Sequence, residues 1–136
     1  MLKIRRKASA VIFGASKGGA LAFDFYSVDY EILAFVDNDP QKHGGTLKGV
    51  PIISANSPKI FEVDKLIIAS VMVYEIYDQL CSIGVRDEII EIAPIDSLFS
   101  SRFGRKTFVR EILNLTLYGL FVFYVISQIL SIKYRK

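Results

Sequence analysis

The chain has one cysteine, one histidine and no tryptophan in 136 residues. The lone thiol, Cys81, excludes a disulfide framework and a multi-cysteine zinc site. It has no histidine or cationic neighbour to activate it, so it reads as a small, at least half-buried thiol on a helix. The lone histidine, His43, precedes Gly44 and Gly45. With no partner in the sequence it is expected as a solvated loop residue rather than a general base. Asp37 and Asp39 flank Asn38, but the further oxygen ligands and the glutamate of a calcium loop are missing, so a solvated turn is expected there. Internal repeats and low-complexity stretches are absent. The length predicts one ordinary domain with an appendage rather than separate cofactor and substrate domains.

The formal charge of +3 conceals a division. Between Ala8 and Ser101 there are six Lys/Arg and thirteen Asp/Glu, a net −7. The first seven residues carry +4 and the last thirty-five, from Arg102, carry +6. An acidic body argues against a nucleic-acid groove, which needs clustered Lys and Arg on the folded surface. Basic residues open the chain, but no apolar run of leader type follows before Gly14, so the body is expected at the cytoplasmic face.

Four short apolar runs read as buried strands: Ala10 to Phe13, Ile32 to Val36, Leu66 to Ala69 and Ile89 to Ile92. They are continuous rather than alternating, which suits parallel strands covered on both faces. Val50 to Ile53 is a fifth, with Pro51 placing it at an edge or a strand start. Between them, Ala20 to Ser27 reads as a helix. Val73, Ile76, Tyr77 and Leu80 share one helical face, and Gly84 stands where that helix stops. Ser57-Pro58 opens a short helix. The alternation predicts an α/β class: a small Rossmann-like parallel sheet with flanking helices, plus a long hydrophobic C-terminal helix. The predicted domains are residues 1–96, a linker at 97–106, and a hydrophobic helix at 107–136.

Gly14-Ala15-Ser16-Lys17-Gly18-Gly19 joins the first strand to the first helix. It meets the dinucleotide fingerprint at the first and third glycines, with Ser16 at the second. A tight turn and close approach of a phosphate to the N–H groups of a helix start both demand small residues here. Ser16 adds a hydroxyl, Lys17 a charge, and Gly18 removes one more side chain. Asp37 ends the second strand, where a carboxylate can accept both hydroxyls of a ribose. The alternative is a purely structural turn with Asp37 ending a strand. Lys42 and Lys48 near the acidic loop can meet a phosphate, although surface lysines need no such explanation. Asp37 repels a 2′-phosphate, so NAD is expected over NADP if the ligand is a dinucleotide.

Asp37-Asn38-Asp39-Pro40-Gln41-Lys42-His43-Gly44, followed by Gly49-Val50-Pro51-Ile52, resembles a group of small Rossmann-like domains. These include the nucleotide-binding domain of polysaccharide-biosynthesis nucleoside-diphosphate-sugar epimerases and dehydratases. The N-terminal domain of sugar acyltransferases is similar, as are domains of some sugar-modifying methyltransferases; redox-sensing repressors and CoA-binding domains carry a related version. The resemblance covers roughly Ala8 to Ile92. It implies that Gly14, Ala15, Ser16, Lys17, Gly18 and Gly19 hold a phosphate, and that Asp37 with Asn38 holds a ribose or base. It also implies that Ser70 lines the crevice at a strand's carboxyl end. The Tyr-x-x-x-Lys pair of the catalytic domains is absent, so the likeness is to the accessory binding domain and no catalytic residue is assigned.

Leu113 to Ile132 carries no charge over twenty residues, about the length that crosses a bilayer as a helix. Arg105, Lys106 and Arg110 precede it, and Lys133, Arg135 and Lys136 follow. It reads as a transmembrane helix, an interfacial or re-entrant helix, or a helix buried in a homo-oligomer or against a membrane enzyme. Both flanks are basic, so the positive-inside rule gives no orientation.

Three functions follow. The first is a module that binds a nucleotide or nucleotide-sugar (NAD or a UDP-sugar) at a membrane where surface polysaccharide is made. The second is an NAD-dependent nucleoside-diphosphate-sugar epimerase, dehydratase or dehydrogenase. The third is a docking subunit whose glycine turn is empty.

Overall fold

The computed structural model describes residues 6–100 and 117–128. The chain falls into two compact units, Met1–Leu98 and Phe99–Lys136. In the first, strands β1 (Ala8–Phe13), β2 (Tyr30–Val36), β3 (Thr46–Leu47), β4 (Val50–Ile53), β5 (Lys65–Ile68) and β6 (Ile90–Ile92) form one sheet. Helix α1 (Lys17–Tyr26) joins β1 to β2, and α2 (Val73–Ser82) leads from β5 towards β6. Strand order is β3-β4-β2-β1-β5-β6, and every pairing is parallel except the β3–β4 hairpin. The α/β expectation with a parallel sheet and flanking helices is therefore met.

Parallel strands need covered faces, and the apolar runs supply two cores. Val11, Phe13, Ala34, Val36, Leu66 and Ile68 face α2 through Ile76 and Leu80, with Ile60 from the turn at Pro58–Phe61. Ala10, Ile12, Ile32, Phe35 and Ile67 form the opposite face and pack with Ala22 and Tyr26 of α1. The helix predicted after Ser57-Pro58 is a single 3₁₀ turn, and Ser57 makes no side-chain cap bond. α2 stops as its spacing predicts: Val85 N–H reaches back to the Leu80 carbonyl and Gly84 N–H to that of Cys81.

Two runs depart from continuous burial. Leu33 is an extra residue in β2: Ala10 pairs with Ile32, but Val11 pairs with Ala34. The bulge resets the alternation, so Ile32 and Phe35 join one core while Ala34 and Val36 join the other. Leu33 itself is 40% exposed. Ile92 of β6 is likewise exposed, because β6 lies at the edge of the sheet. Ile89 belongs to a 3₁₀ turn ahead of the strand.

Residues 117–128 of the second unit are helical, and all are exposed. The uncharged run 113–132 extends beyond these residues at both ends, so the expected long hydrophobic helix lies partly outside the described residues. Among the described residues no helix is long and apolar enough to cross a membrane.

Leu80 is fully buried where α2 meets the sheet. Leu80→Ala is expected to cost about 2–5 kcal/mol, read as a lower urea midpoint with unchanged slope.

Candidate functional site

The fold changes direction at β1. From β1 the chain builds outward through β2 to β4, then crosses back to lay β5 on the other side of β1. In open parallel sheets ligands sit at such a switch point, beyond the carboxyl ends of the strands. The residues there are Gly14, after β1, and Ala69 and Ser70, after β5.

The glycine turn is built by close contact. Gly14 has φ +117°, and a Cβ on it would sit 2.5 Å from the Ala69 carbonyl oxygen. Its N–H donates to the Val36 carbonyl at 2.7 Å, tying the turn to the end of β2. Gly19 is tighter still: a Cβ would lie 1.8 Å from the Gly14 carbonyl oxygen. The helix start therefore rests directly on the strand end, as the third glycine of the fingerprint requires. Gly18 is buried against Ala69 and Ile95. Ser16 and Lys17 are exposed, and Ser16, at the N-cap position, makes no side-chain cap bond. The first-turn N–H groups of α1, which have no intrahelical partners, are thus accompanied by a hydroxyl and an ammonium available to an anion.

Asp37 is the most connected residue of the site. Its Oδ2 accepts from the Ala15 N–H at 2.9 Å and from Lys42 Nζ at 2.9 Å. Its Oδ1 accepts from the Asp39 N–H at 2.9 Å. Its own N–H donates to the Ile53 carbonyl, and its carbonyl oxygen meets His43 Nε2 at 2.7 Å. The side chain is 14% exposed. Burial pushes its carboxyl upward, but the bonds from Asp39, Lys42 and Ala15 together outweigh this, so it stays below the ordinary carboxylate value.

The other predicted residues separate. Asn38 spends both ends of its amide on Gln79 of α2, donating at 2.8 Å and accepting at 3.0 Å. That pair latches the loop after β2 to α2. Ser70 Oγ accepts from the Met72 N–H at 3.1 Å and helps turn the chain into α2. It also lines a cavity of about 390 Å³ with Val73, Ile92, Pro94 and Ile95. Beside it, Val71 is 93% exposed and Tyr74 84%. Neither was singled out from the sequence, since an apolar residue after a strand gives no sign of facing solvent. Gln79 was missed for a similar reason: its partner is forty-one residues away.

Two expectations are corrected. His43 is half-buried and bonded to the Asp37 carbonyl rather than freely solvated, because the loop folds back over Asp37. Cys81 is exposed rather than half-buried, because Leu80 takes the inward position on α2. Among the described residues no cluster of His, Cys, Asp and Glu could hold a metal ion.

The family described as C2185-like, N-terminal, matches residues 6–91. The chain belongs to that family. No match is found among curated proteins. Among solved structures, the chain is similar to UDP-D-quinovosamine 4-dehydrogenase from Vibrio fischeri at 24% identity, with a TM-score of 0.51 over 71% of this chain and 86% of that one. It is also similar to RSP, a Rex-family repressor, at 18% identity and TM-score 0.52 over 78% of this chain. The same repressor in complex with β-NADH matches at 19% identity and TM-score 0.50, over 79% of this chain and 65% of that one. The match spans 63% of the repressor's length in the first of these structures. These likenesses establish a Rossmann-type fold.

Two outcomes are expected of this geometry. Gly19→Ala forces backbone apart from backbone and should destabilise the fold by about 3 kcal/mol or more, seen as a large drop in Tm. The second concerns acid. A carboxyl held below its ordinary value of 3.8 stabilises the fold fully above that pH and loses the contribution as pH falls through its native value. The stability advantage of the wild type over Asp37→Asn should therefore be constant near neutrality and shrink below about pH 4. Parallel urea titrations from pH 3 to 7 measure it; an advantage that persists undiminished at pH 3 contradicts the assignment.

Proposed function

We propose that this chain is a nucleotide-binding module, with NAD or a UDP-sugar as the ligand class, held at the crevice between β1 and β5. The observation that carries the reading is the start of α1. A glycine turn brings it onto the strand end, while the hydroxyl of Ser16 and the ammonium of Lys17 stay exposed beside its first-turn N–H groups. A pyrophosphate offers the charge and oxygens that such a helix start favours. The ribose end falls to Asp37, whose carboxylate borders the turn through Ala15. Asn38, engaged with Gln79, supports the loop in this reading, and Ser70 lines the crevice.

NAD is the first ligand to test, since the repressor among the similar folds was solved with β-NADH. The UDP-sugar alternative draws on the dehydrogenase, which is named for such a substrate. A role in polysaccharide-precursor chemistry rests on the resemblance of the Asp37–Gly44 segment. The repressor was also solved with operator DNA; the acidic body gives that activity no support here. Chemistry on the ligand would need a proton-transfer pair, and Tyr-x-x-x-Lys is absent from the chain. The binding reading therefore stands ahead of the enzyme reading.

For the tail we propose association with an anionic membrane. Residues 117–128 form an uncharged helix whose side chains are exposed, within a sequence run bounded by basic residues on both sides. Lys and Arg near an anionic surface each contribute about 1 kcal/mol.

Ser16→Glu separates ligand binding from a merely structural turn. A carboxylate at a helix start favours the helix but repels a phosphate. The variant should keep or raise Tm and lose about tenfold or more in affinity, equivalent to about 1.4 kcal/mol. Calorimetry of the full chain in detergent with NADH and with a UDP-sugar reads it. Absence of binding to both by the wild type rejects the reading. For the tail, the full chain should float with phosphatidylglycerol vesicles, and a chain ending at residue 100 should not.

A further inference from the structure

The Asp37–Lys42 contact bears on which ribose the crevice takes, and the inference rests on the nucleotide reading above. An ionised carboxylate offers about four acceptor positions. Three are occupied: by the Ala15 N–H, the Asp39 N–H and Lys42 Nζ, each at 2.9 Å. A ribose diol docked on this carboxylate needs two. The Ala15 and Asp39 donors are backbone groups of the turn and the loop, and they stay while the fold stands. Lys42 is the one side chain of the three, 37% exposed on the 3₁₀ turn Pro40–Lys42. Asp37 is its one ion-pair partner among the described residues.

We propose that Lys42 is a specificity-determining residue: it occupies the ribose position of Asp37, must withdraw for an unmodified ribose, and pairs with the phosphate of a 2′-phosphorylated one. Two consequences oppose the simple charge argument. An unmodified ribose gives up the ion pair without replacement and binds more weakly than it would to a free carboxylate. A 2′-phosphate meets a neutralised carboxylate with an ammonium beside it, so Asp37 no longer excludes it. The selection rests on a five-residue separation closed by Pro40, which sets the turn that returns Lys42 to Asp37.

Lys42→Met keeps much of the stem and removes the charge. Partly exposed ion pairs are worth up to about 1 kcal/mol, so NADH should bind the variant up to about fivefold tighter. NADPH should bind it about tenfold or more weaker, since hydrogen bonds to charged groups contribute about 1.5–3 kcal/mol. Lys48→Met is the control: Lys48 pairs with Asp24 instead, so the NADH to NADPH ratio should hold. Fluorescence titration of full-length wild type and both variants in detergent reads all three. Opposite shifts for the two dinucleotides in Lys42→Met alone support the proposal, as does NADH binding that appears only in that variant. An unchanged ratio in Lys42→Met, with wild-type binding intact, overturns the role of Lys42 and leaves the nucleotide reading standing. Failure of every protein to bind either dinucleotide overturns the role of Lys42 and the dinucleotide arm of the nucleotide reading.

Discussion

The carboxylate of Asp37 holds the upper end of this domain together. Through Ala15 it fixes the turn after β1; through Asp39 and Lys42 it winds the loop after β2. Its backbone ties the same point to the end of β4 and to His43. Partial burial makes these bonds strong, because a carboxylate withdrawn from water gains more from each donor. The result is an end of the sheet in which the glycine turn, the second strand and the acidic loop are tied together. The Asn38–Gln79 pair extends it to α2. A pocket for a small ligand requires this order, since a loose turn would lose in ordering entropy what its donors gain from a phosphate.

The fold was legible where burial is uniform and contacts are local. Short apolar runs bounded by glycine and aspartate located the strands, because a parallel strand covered on both faces has no polar side to show. The α2 spacing and Gly84 predicted that helix and its end for the same reason. The bulge at Leu33 was not legible: an apolar residue inside an apolar run carries no mark of which side it faces, and only the register against β1 decides. The edge position of β6 was hidden likewise, since the strand order that exposes Ile92 is a property of the whole sheet.

The candidate site divides in the same way. Gly14 and Gly19 could be picked out because glycine is nearly alone in allowing both a φ of +117° and a Cβ position 1.8 Å from a carbonyl oxygen. Asp37 could be placed by its distance from the turn and by its strand end. What the carboxylate bonds to could not be read, because Lys42 and the Ala15 N–H are set by how the loop closes. Asn38 illustrates the limit: it stands next to Asp37 in sequence, yet its amide is held by a helix residue forty-one positions on. Neighbours along a strand end point to opposite sides of a sheet, so adjacency in such a motif does not amount to a shared task.

The same geometry joins the phosphate and ribose halves of the proposed site energetically. The Ala15 N–H lies within the glycine turn, and it is spent on Asp37 rather than left for an anion. In the proposed site the turn presents phosphate-facing donors from α1 and gives the Ala15 N–H to the acid assigned to the ribose. A ribose hydroxyl that replaces Lys42 on this oxygen of Asp37 in the proposed site shares it with the Ala15 N–H, so ligand, turn and loop meet at one atom. On the proposed reading, ordering the ribose end also orders the phosphate end, so a ligand carrying both groups gains more than the sum of its two halves. Mononucleotides that lack either group forgo that gain. On that reading the crevice suits ligands in which a ribose and a pyrophosphate are joined, which is the chemistry that dinucleotides and nucleotide-sugars share.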